Sequence, residues 1–257
     1  MIRLTVIAVS FLCFMASTNL FAQKRDFYEL RTYHIENAEQ EAVLDTYLKD
    51  ALIPAAHRNG IAKVGVFKPI DSQSDAGKAV YLFLPFKSME EFLGFEEKLA
   101  KDKAYLQAGD AYINSAHDSP PYKRIETSIM RAMSGHPKFA ESKLDGPKRD
   151  RIYELRSYEG ATERLYRQKV KMFNSGEMDI FEKLNCNPIF YGETVAGANM
   201  PNLMYMTTHE NMEIRDEHWK AFSSDPDWAK MKDLEEYKNT VSRNDTRLLY
   251  PTEYSDL

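Results

Sequence analysis

Two Glu-x-Arg-x-Tyr triplets, 125 residues apart, are the parts of this sequence whose residue types and spacing could do chemistry. Successive side chains of a β-strand point to opposite faces, so the three residues of each triplet share one face. An arginine held in this way could bind a carboxylate or another oxyanion through two parallel hydrogen bonds, with the tyrosines as walls. The candidate ligand-binding residues are Glu29, Arg31, Tyr33, Glu154, Arg156 and Tyr158.

The same triplets also have a structural interpretation. The opposite face of the first strand carries Tyr28, Leu30 and Thr32, and these suit contact with helices better than a charged pair does. We therefore expect the charged face to lie between two sheets, where Glu29 and Arg31 could form an internal ion pair that fixes the register of the sheets. Both interpretations stay open, and no catalytic residue is predicted.

Other common constellations are missing from the sequence. The segment His209–Glu213 begins like a His-Glu-x-x-His zinc motif but ends in glutamate, so the second ligand is absent. Asp216 and His218 are two residues apart on a predicted helix and cannot share a face. No dinucleotide-binding or phosphate-binding glycine motif and no Gly-x-Ser-x-Gly motif occurs. The sequence therefore predicts no metal and no cofactor.

Composition and charge are those of an ordinary globular protein. Of 257 residues, 43% are apolar and 28% are charged, which excludes wholesale disorder. A formal net charge of −5 argues against a non-specific nucleic-acid binder, because such a protein needs a cationic surface for the phosphates. We expect no nucleic-acid partner.

The N-terminal residues have the pattern of a secretory signal peptide. Arg3 supplies the positive charge, Leu4–Met15 is an apolar run too short to span a bilayer, and Ala22 is the predicted cleavage site. An uncleaved membrane anchor is the alternative. We expect residues 1–22 to be removed and the mature protein to be periplasmic or secreted, without a membrane partner. Cys13 would leave with this segment, and we expect the remaining thiol, Cys186, to be buried.

The order of predicted elements repeats along the chain. Each half reads strand, helix, strand, strand, helix, strand, which is the split-βαβ or ferredoxin-like unit. The predicted α+β fold therefore has two tandem ferredoxin-like (βαββαβ) domains, residues 23–134 and 150–257, with a linker at residues 135–149. Each four-stranded antiparallel sheet would leave one face bare, and pairing the sheets as a dimeric α/β barrel buries both faces. Pairing within one chain and pairing between chains of a homo-oligomer both stay open.

Local signals set the predicted bounds. The first helix of each half is expected over residues 40–59 and 162–185, and the second begins at Ser88 or Asn211, both good N-caps. Pro54 should kink or end its helix, while Gly60 and Asn185 stand where a left-handed C-cap is expected. The predicted strands after the first of each half are 61–68, 79–85, 124–131, 188–194, 202–208 and 246–250.

The motif Tyr-Glu-Leu-Arg-x-Tyr at the start of each half resembles the NIPSNAP family of dimeric α/β-barrel proteins. The segments Asn59–Phe67 and Arg247–Ser255 are similar to the family's first turn and closing strand. The resemblance covers nearly all of residues 26–257, although Asn185–Asn187 and Gly176 depart from the pattern. It implies the fold and no particular chemistry, since relatives with this barrel include haem enzymes, cofactor-free monooxygenases and lactone isomerases.

Two functions of different classes are compatible with these observations. The first is an exported NIPSNAP-family ligand-binding or interaction module, with a small anionic or aromatic ligand beside Arg31 or Arg156. The alternative is a cofactor-free monooxygenase-like or isomerase-like enzyme that acts on a small aromatic or hydrophobic acid in the barrel.

Overall fold

The computed structural model describes residues 24–257. The predicted signal peptide at residues 1–22 lies outside the described residues. Within 24–257, no helix combines the length and apolar character needed to cross a membrane.

Eight antiparallel strands form one closed barrel. They are β1 (Phe27–His34), β2 (Gly65–Pro69), β3 (Ala79–Phe86), β4 (Arg124–Ala132), β5 (Ile152–Glu159), β6 (Pro188–Ala196), β7 (Asn202–His209) and β8 (Arg243–Pro251). Their order around the barrel is β1-β3-β2-β8-β5-β7-β6-β4. Each half keeps its own four strands together, and the seams β2–β8 and β4–β6 join the halves. The barrel therefore closes within one chain.

The helices lie outside the barrel. In the first half they are α1 (Ala38–Tyr47), α2 (Ile53–Arg58), α3 (Met89–Leu99), α4 (Lys103–Ala108) and α5 (Asp110–Ile113). In the second half they are α6 (Glu163–Met172), α7 (Met178–Lys183), α8 (Met212–Ser224) and α9 (Pro226–Lys232). Apolar side chains of these helices pack against the outer face of the strands of their own half.

The first helix of each half contains a wide, π-helical turn at the same place. Leu48–Leu52 joins α1 to α2, and Phe173–Glu177 joins α6 to α7. Pro54 lies just after the first of these turns. Proline lacks the N–H that an α-helix uses, but the helix continues through it as α2. Gly176, in the second turn, has a φ of 138°, a conformation that favours glycine.

The predicted N-caps and left-handed C-caps are confirmed, the helix bounds differ from the prediction by one or two residues, and the bounds of the second strand and of β8 are wrong. Gly60 and Asn185 have φ values of 87° and 57°, as expected for left-handed C-caps. The second strand was expected to begin at residue 61 but begins at Gly65, because the Ile61 and Val64 N–H groups bond to Ala56 O and the Asp256 carboxylate. β8 is longer than expected, since it pairs with β5 from residue 243 onward.

Aromatic rings from both halves fill the barrel. The Tyr28 and Phe190 rings lie 5.3 Å apart, and Phe83 stacks on Phe190 at 4.8 Å. On the other side, Phe67 and Tyr153 lie 4.7 Å apart. The two halves therefore share one apolar interior.

Cys186 is 4% exposed, which confirms the expected burial. Burial, with the nearby Glu154 carboxylate, raises the pKa of this thiol to about 12. In a Cys13→Ser chain at pH 8, we expect Ellman's reagent to detect no thiol in the folded protein and one thiol in urea. Reaction of the folded protein at the rate of a free thiol would contradict this burial.

Candidate functional site

Both Glu-Arg-Tyr triplets lie on the outer face of the sheet, under the helices, which corrects the prediction that they face the barrel interior. Tyr28 and Tyr153, from the opposite faces of β1 and β5, point into the barrel instead. The physical reason is that aromatic rings fill the barrel interior. A buried carboxylate needs polar partners, and these are found on the outer face of the sheet.

The first triplet forms a compact ion pair. Arg31 donates from Nε to Glu29 Oε1 at 2.8 Å and from Nη1 to the Tyr33 hydroxyl at 3.2 Å. Its Nη2 lies 2.7 Å from Glu29 and 3.6 Å from the exposed Glu96. Burial raises the pKa of Glu29, and the charge of Arg31 opposes this rise without overcoming it.

The second triplet has the same geometry. Arg156 donates to Glu154 Oε1 at 2.6 Å and to the Tyr158 hydroxyl at 3.2 Å. The Tyr158 hydroxyl lies 2.8 Å from the hydroxyl of Tyr205, and the Arg156 guanidinium lies over the Trp219 ring at 3.8 Å. Protein groups therefore contact the Arg156 guanidinium both along its edge, through hydrogen bonds, and on one face, through the Trp219 ring.

Two residues of α8 that the sequence analysis did not single out complete the second cluster. Arg215 donates to both oxygens of Glu154 at 2.7 and 3.0 Å, and Trp219 Nε1 donates to it at 2.8 Å. Burial alone would raise the pKa of Glu154, but Arg215, Arg156 and Trp219 together hold it below its usual value. At the equivalent positions after the N-cap of α3 stand Phe92 and Glu96.

The histidines do not form a metal centre in the described part of the chain. His209 and His218 touch across β7 and α8, with their Nδ1 atoms 2.9 Å apart. Burial lowers the pKa of His209 to about 4, so this ring is neutral at pH 7. Within residues 24–257, no group of three or more His, Cys, Asp or Glu side chains could hold a metal ion.

A cavity of about 270 Å³ opens at one end of the barrel. Its floor is apolar and includes Leu30, Leu155 and Met204, which cover the aromatic interior. Its walls are polar and come from six strands; they include Thr32, Tyr81, Ser128, Ser157, Asn202 and Arg247. At the other end of the barrel, Phe139 and Leu257 pack against the aromatic interior.

The polar walls of this cavity are only partly hydrogen-bonded. The Tyr81 hydroxyl donates to Asp75 Oδ2 at 2.6 Å, and Asn202 Nδ2 donates to the Ser157 hydroxyl at 2.8 Å. Asn202 is 2% exposed, yet its Oδ1 accepts no hydrogen bond from any residue in the range 24–257, and the same is true of Asp75 Oδ1. A buried acceptor without a partner is costly, so these atoms mark a place where a ligand could bind.

No residue of this cavity was singled out from the sequence. Its wall residues are isolated polar side chains at the ends of strands, and only the closure of the barrel brings them together. The one sequence signal was the alternation of the strands, which puts Thr32 and Ser157 on the same face as Tyr28 and Tyr153.

Two solved structures share the fold over most of the chain. A protein from Lactobacillus acidophilus NCFM named "putative monooxygenase" has a TM-score of 0.56 and 12% identity, over 88% of this chain and 94% of that one. A second "putative monooxygenase", from Fusobacterium nucleatum, has a TM-score of 0.57 and 9% identity, over 89% and 93% of the two chains. At such low identity these likenesses show the fold alone.

Two further comparisons concern one protein family. A NIPSNAP-like domain protein from Burkholderia xenovorans is 19% identical over 42% of this chain and 90% of its own length, with a TM-score of 0.38. A search of curated protein sequences gives no match. Residues 153–256 match the family model described as NIPSNAP, so the second half of this chain is a NIPSNAP domain.

Proposed function

We propose that this protein binds a small molecule in the open end of its barrel. The observation that supports the proposal most is the cavity of about 270 Å³ with an apolar floor and a buried, unpaired Asn202 oxygen in its wall. Ligand sites typically combine apolar surface with a few convergent polar groups, and their volumes start at about 300 Å³. A cavity of this size suits a compact ligand.

The ligand site that the sequence suggested, beside Arg31 or Arg156, stays a prediction. Arg31 and Arg156 each already donate hydrogen bonds to a glutamate and a tyrosine of the same triplet. An anion there would have to displace an internal carboxylate. We therefore place the ligand in the barrel and regard the two triplets as structural ion pairs that hold helices and sheet together.

The enzyme alternative rests on the fold it would share with monooxygenase-like proteins. A fold hosts many unrelated activities, so this likeness carries no chemistry by itself. The cavity does hold Tyr81, whose hydroxyl donates to Asp75, and whose pKa is raised mainly by burial. Such a hydroxyl suits binding of a ligand better than proton abstraction at neutral pH.

Two further proposals extend the expectations from the sequence. We propose that residues 23–134 form a second, divergent NIPSNAP-like domain beside residues 150–257. The equivalent Glu–Arg–Tyr geometry in the two halves and the matching π-helical turns support this. We also propose export of the protein, which rests on the N-terminal pattern alone.

Filling the cavity should abolish binding while the fold survives. Ser157→Phe places a ring in the cavity wall, whereas Val195→Phe adds the same ring at an exposed position of β6. We expect native mass spectrometry to detect a retained small molecule in the parent and in Val195→Phe, and none in Ser157→Phe.

The same spectra report the oligomeric state, and a thermal melt of each variant checks the fold. If Ser157→Phe and Val195→Phe retain the same ligand equally well, then the barrel cavity is not the binding site.

A further inference from the structure

The unpaired atoms of the barrel cavity are of one chemical kind. Asn202 Oδ1 and Asp75 Oδ1, both in cavity-lining residues, are hydrogen-bond acceptors, and so is Glu159 Oε1 of the strand that carries Ser157, which has an ion-pair contact with Arg243 but accepts no hydrogen bond. All three are buried and accept no hydrogen bond from residues 24–257. A ligand that fits them must therefore donate hydrogen bonds.

The two arginines at this end of the barrel already lie beside carboxylates. Arg247 lies 3.1 Å from Asp245 and 3.5 Å from Asp75, so its guanidinium is shared between two carboxylates. Arg243 lies 3.6 Å from Glu159. An anionic ligand here would compete with these carboxylates for the arginines.

The charges that line the cavity also disfavour an anion. Three acids, Asp75, Glu126 and Asp245, face two arginines, Arg243 and Arg247. Asp75 is the least exposed of these three acids, and one of its oxygens accepts from Tyr81 while the other accepts from no residue in 24–257. A cation beside Asp75 would balance the excess of negative charge.

We propose that the barrel cavity selects a small organic amine, bound as its ammonium form, with the nitrogen at Asp75 and Asn202 and the apolar part on Leu30, Leu155 and Met204. This inference rests on the proposed function, because it names the class of ligand for the same cavity. It departs from the anionic ligand that the arginine-containing triplets suggested. The ammonium group supplies the donors that the unpaired oxygens lack.

Three probes of the same shape separate the head groups. Cyclohexylammonium, cyclohexanol and cyclohexanecarboxylate carry one ring and differ in whether the head group is a cationic donor, a neutral donor or an anionic acceptor. We measure their binding to the full chain by isothermal titration calorimetry and saturation-transfer NMR at pH 7. We expect the ammonium probe to bind about tenfold more tightly than the alcohol, because a hydrogen bond to a charged group is the stronger one. The carboxylate should not bind.

A matched pair of variants then tests the position of the nitrogen. Asp75→Asn removes the charge and keeps the shape, and we expect it to weaken the ammonium probe about tenfold while alcohol binding changes little. Asp145→Asn removes an exposed charge of the linker and should change neither. Melting curves confirm that both variants fold.

The outcomes separate this inference from the proposed function. If the carboxylate or the alcohol binds more tightly than the ammonium probe, and this binding is lost in Ser157→Phe, the barrel remains the ligand site and the amine proposal is overturned. Equal effects of Asp75→Asn and Asp145→Asn also overturn it. Binding of none of the three probes, together with no molecule retained in native mass spectra, overturns the proposed function itself.

Discussion

Replacement of Lys169 by methionine is expected to destabilise the protein by about 3–5 kcal/mol. Lys169 and Glu177 form an ion pair inside the second half, with Nζ 2.7 and 3.0 Å from the carboxylate oxygens. Their side chains are only 7% and 2% exposed. Without the lysine, the glutamate is a buried, unpaired acid, and its pKa, already raised by burial, has no nearby cation to lower it.

The surroundings of the pair offer little compensation. Lys169 Nζ lies 4.9 Å from the Phe173 ring, 5.4 Å from that of Tyr158 and 5.5 Å from that of Trp228. These rings stabilise a cation but give nothing to a lone carboxylate. The single substitution therefore leaves the Glu177 carboxylate desolvated, with no polar group to replace the lysine.

The first half shows what an apolar version of this pair looks like. Counted from the N-caps Asn37 and Thr162, Lys169 corresponds to Leu44 and Glu177 to Leu52. Both leucines are buried in the equivalent core. We therefore expect the double variant Lys169→Leu/Glu177→Leu to equal the native stability or to exceed it by up to about 4 kcal/mol.

Urea unfolding at pH 7, followed by tryptophan fluorescence, measures both effects, since Trp228 lies beside the pair. The double variant is the control that separates loss of a partner from loss of packing. A loss below about 1 kcal/mol in Lys169→Met, or a double variant as unstable as the single one, would contradict a tightly buried pair.

The order of strands and helices along the chain could be predicted from the sequence because each of these predictions used only local information. Alternation in Phe27–Tyr33, the capping residues Ser88 and Asn211, and the left-handed positions Gly60 and Asn185 all act within a few residues. The N-cap oxygens of Ser88 and Asn211 accept backbone N–H groups three residues later, as a capping residue should.

The orientation of the triplets could not be predicted in the same way. Alternation divides a strand into two faces but does not say which face enters the barrel. The partners that decide the matter for Glu154 are Arg215 and Trp219, which are 61 and 65 residues away in the chain. Lys169 and Glu177 were missed for a related reason. Residues eight apart lie about 12 Å apart along a regular α-helix, and here the π-helical turn between them accompanies their contact.

The asymmetry between the two triplets gives the second large effect: Glu154→Gln is expected to cost more than Glu29→Gln. Glu154 is fully buried and neutralises two arginines, so its loss leaves Arg156 without a carboxylate and Arg215 with only the exposed Asp216, at about 3–5 kcal/mol. Glu29 serves Arg31 alone, which keeps its contact with Tyr33, and we expect about 1–3 kcal/mol.

The two variants should also differ in the sign of their pH dependence. The folded-state pKa of Glu154 lies below its unfolded value of about 4.3, so its contribution is present above that pH and is lost as the pH falls through the folded pKa. The pKa of Glu29 is raised, so protonation favours the folded state, and the native protein gains stability relative to Glu29→Gln as the pH falls through that raised value. Urea unfolding between pH 7 and pH 3 measures the free energy of unfolding of each variant relative to the native protein. We expect the difference between the native protein and Glu154→Gln to shrink as the pH falls, and the difference between the native protein and Glu29→Gln to grow. Parallel curves for the two variants would mean that Arg215 and Trp219 do not hold the Glu154 carboxylate in its charged form.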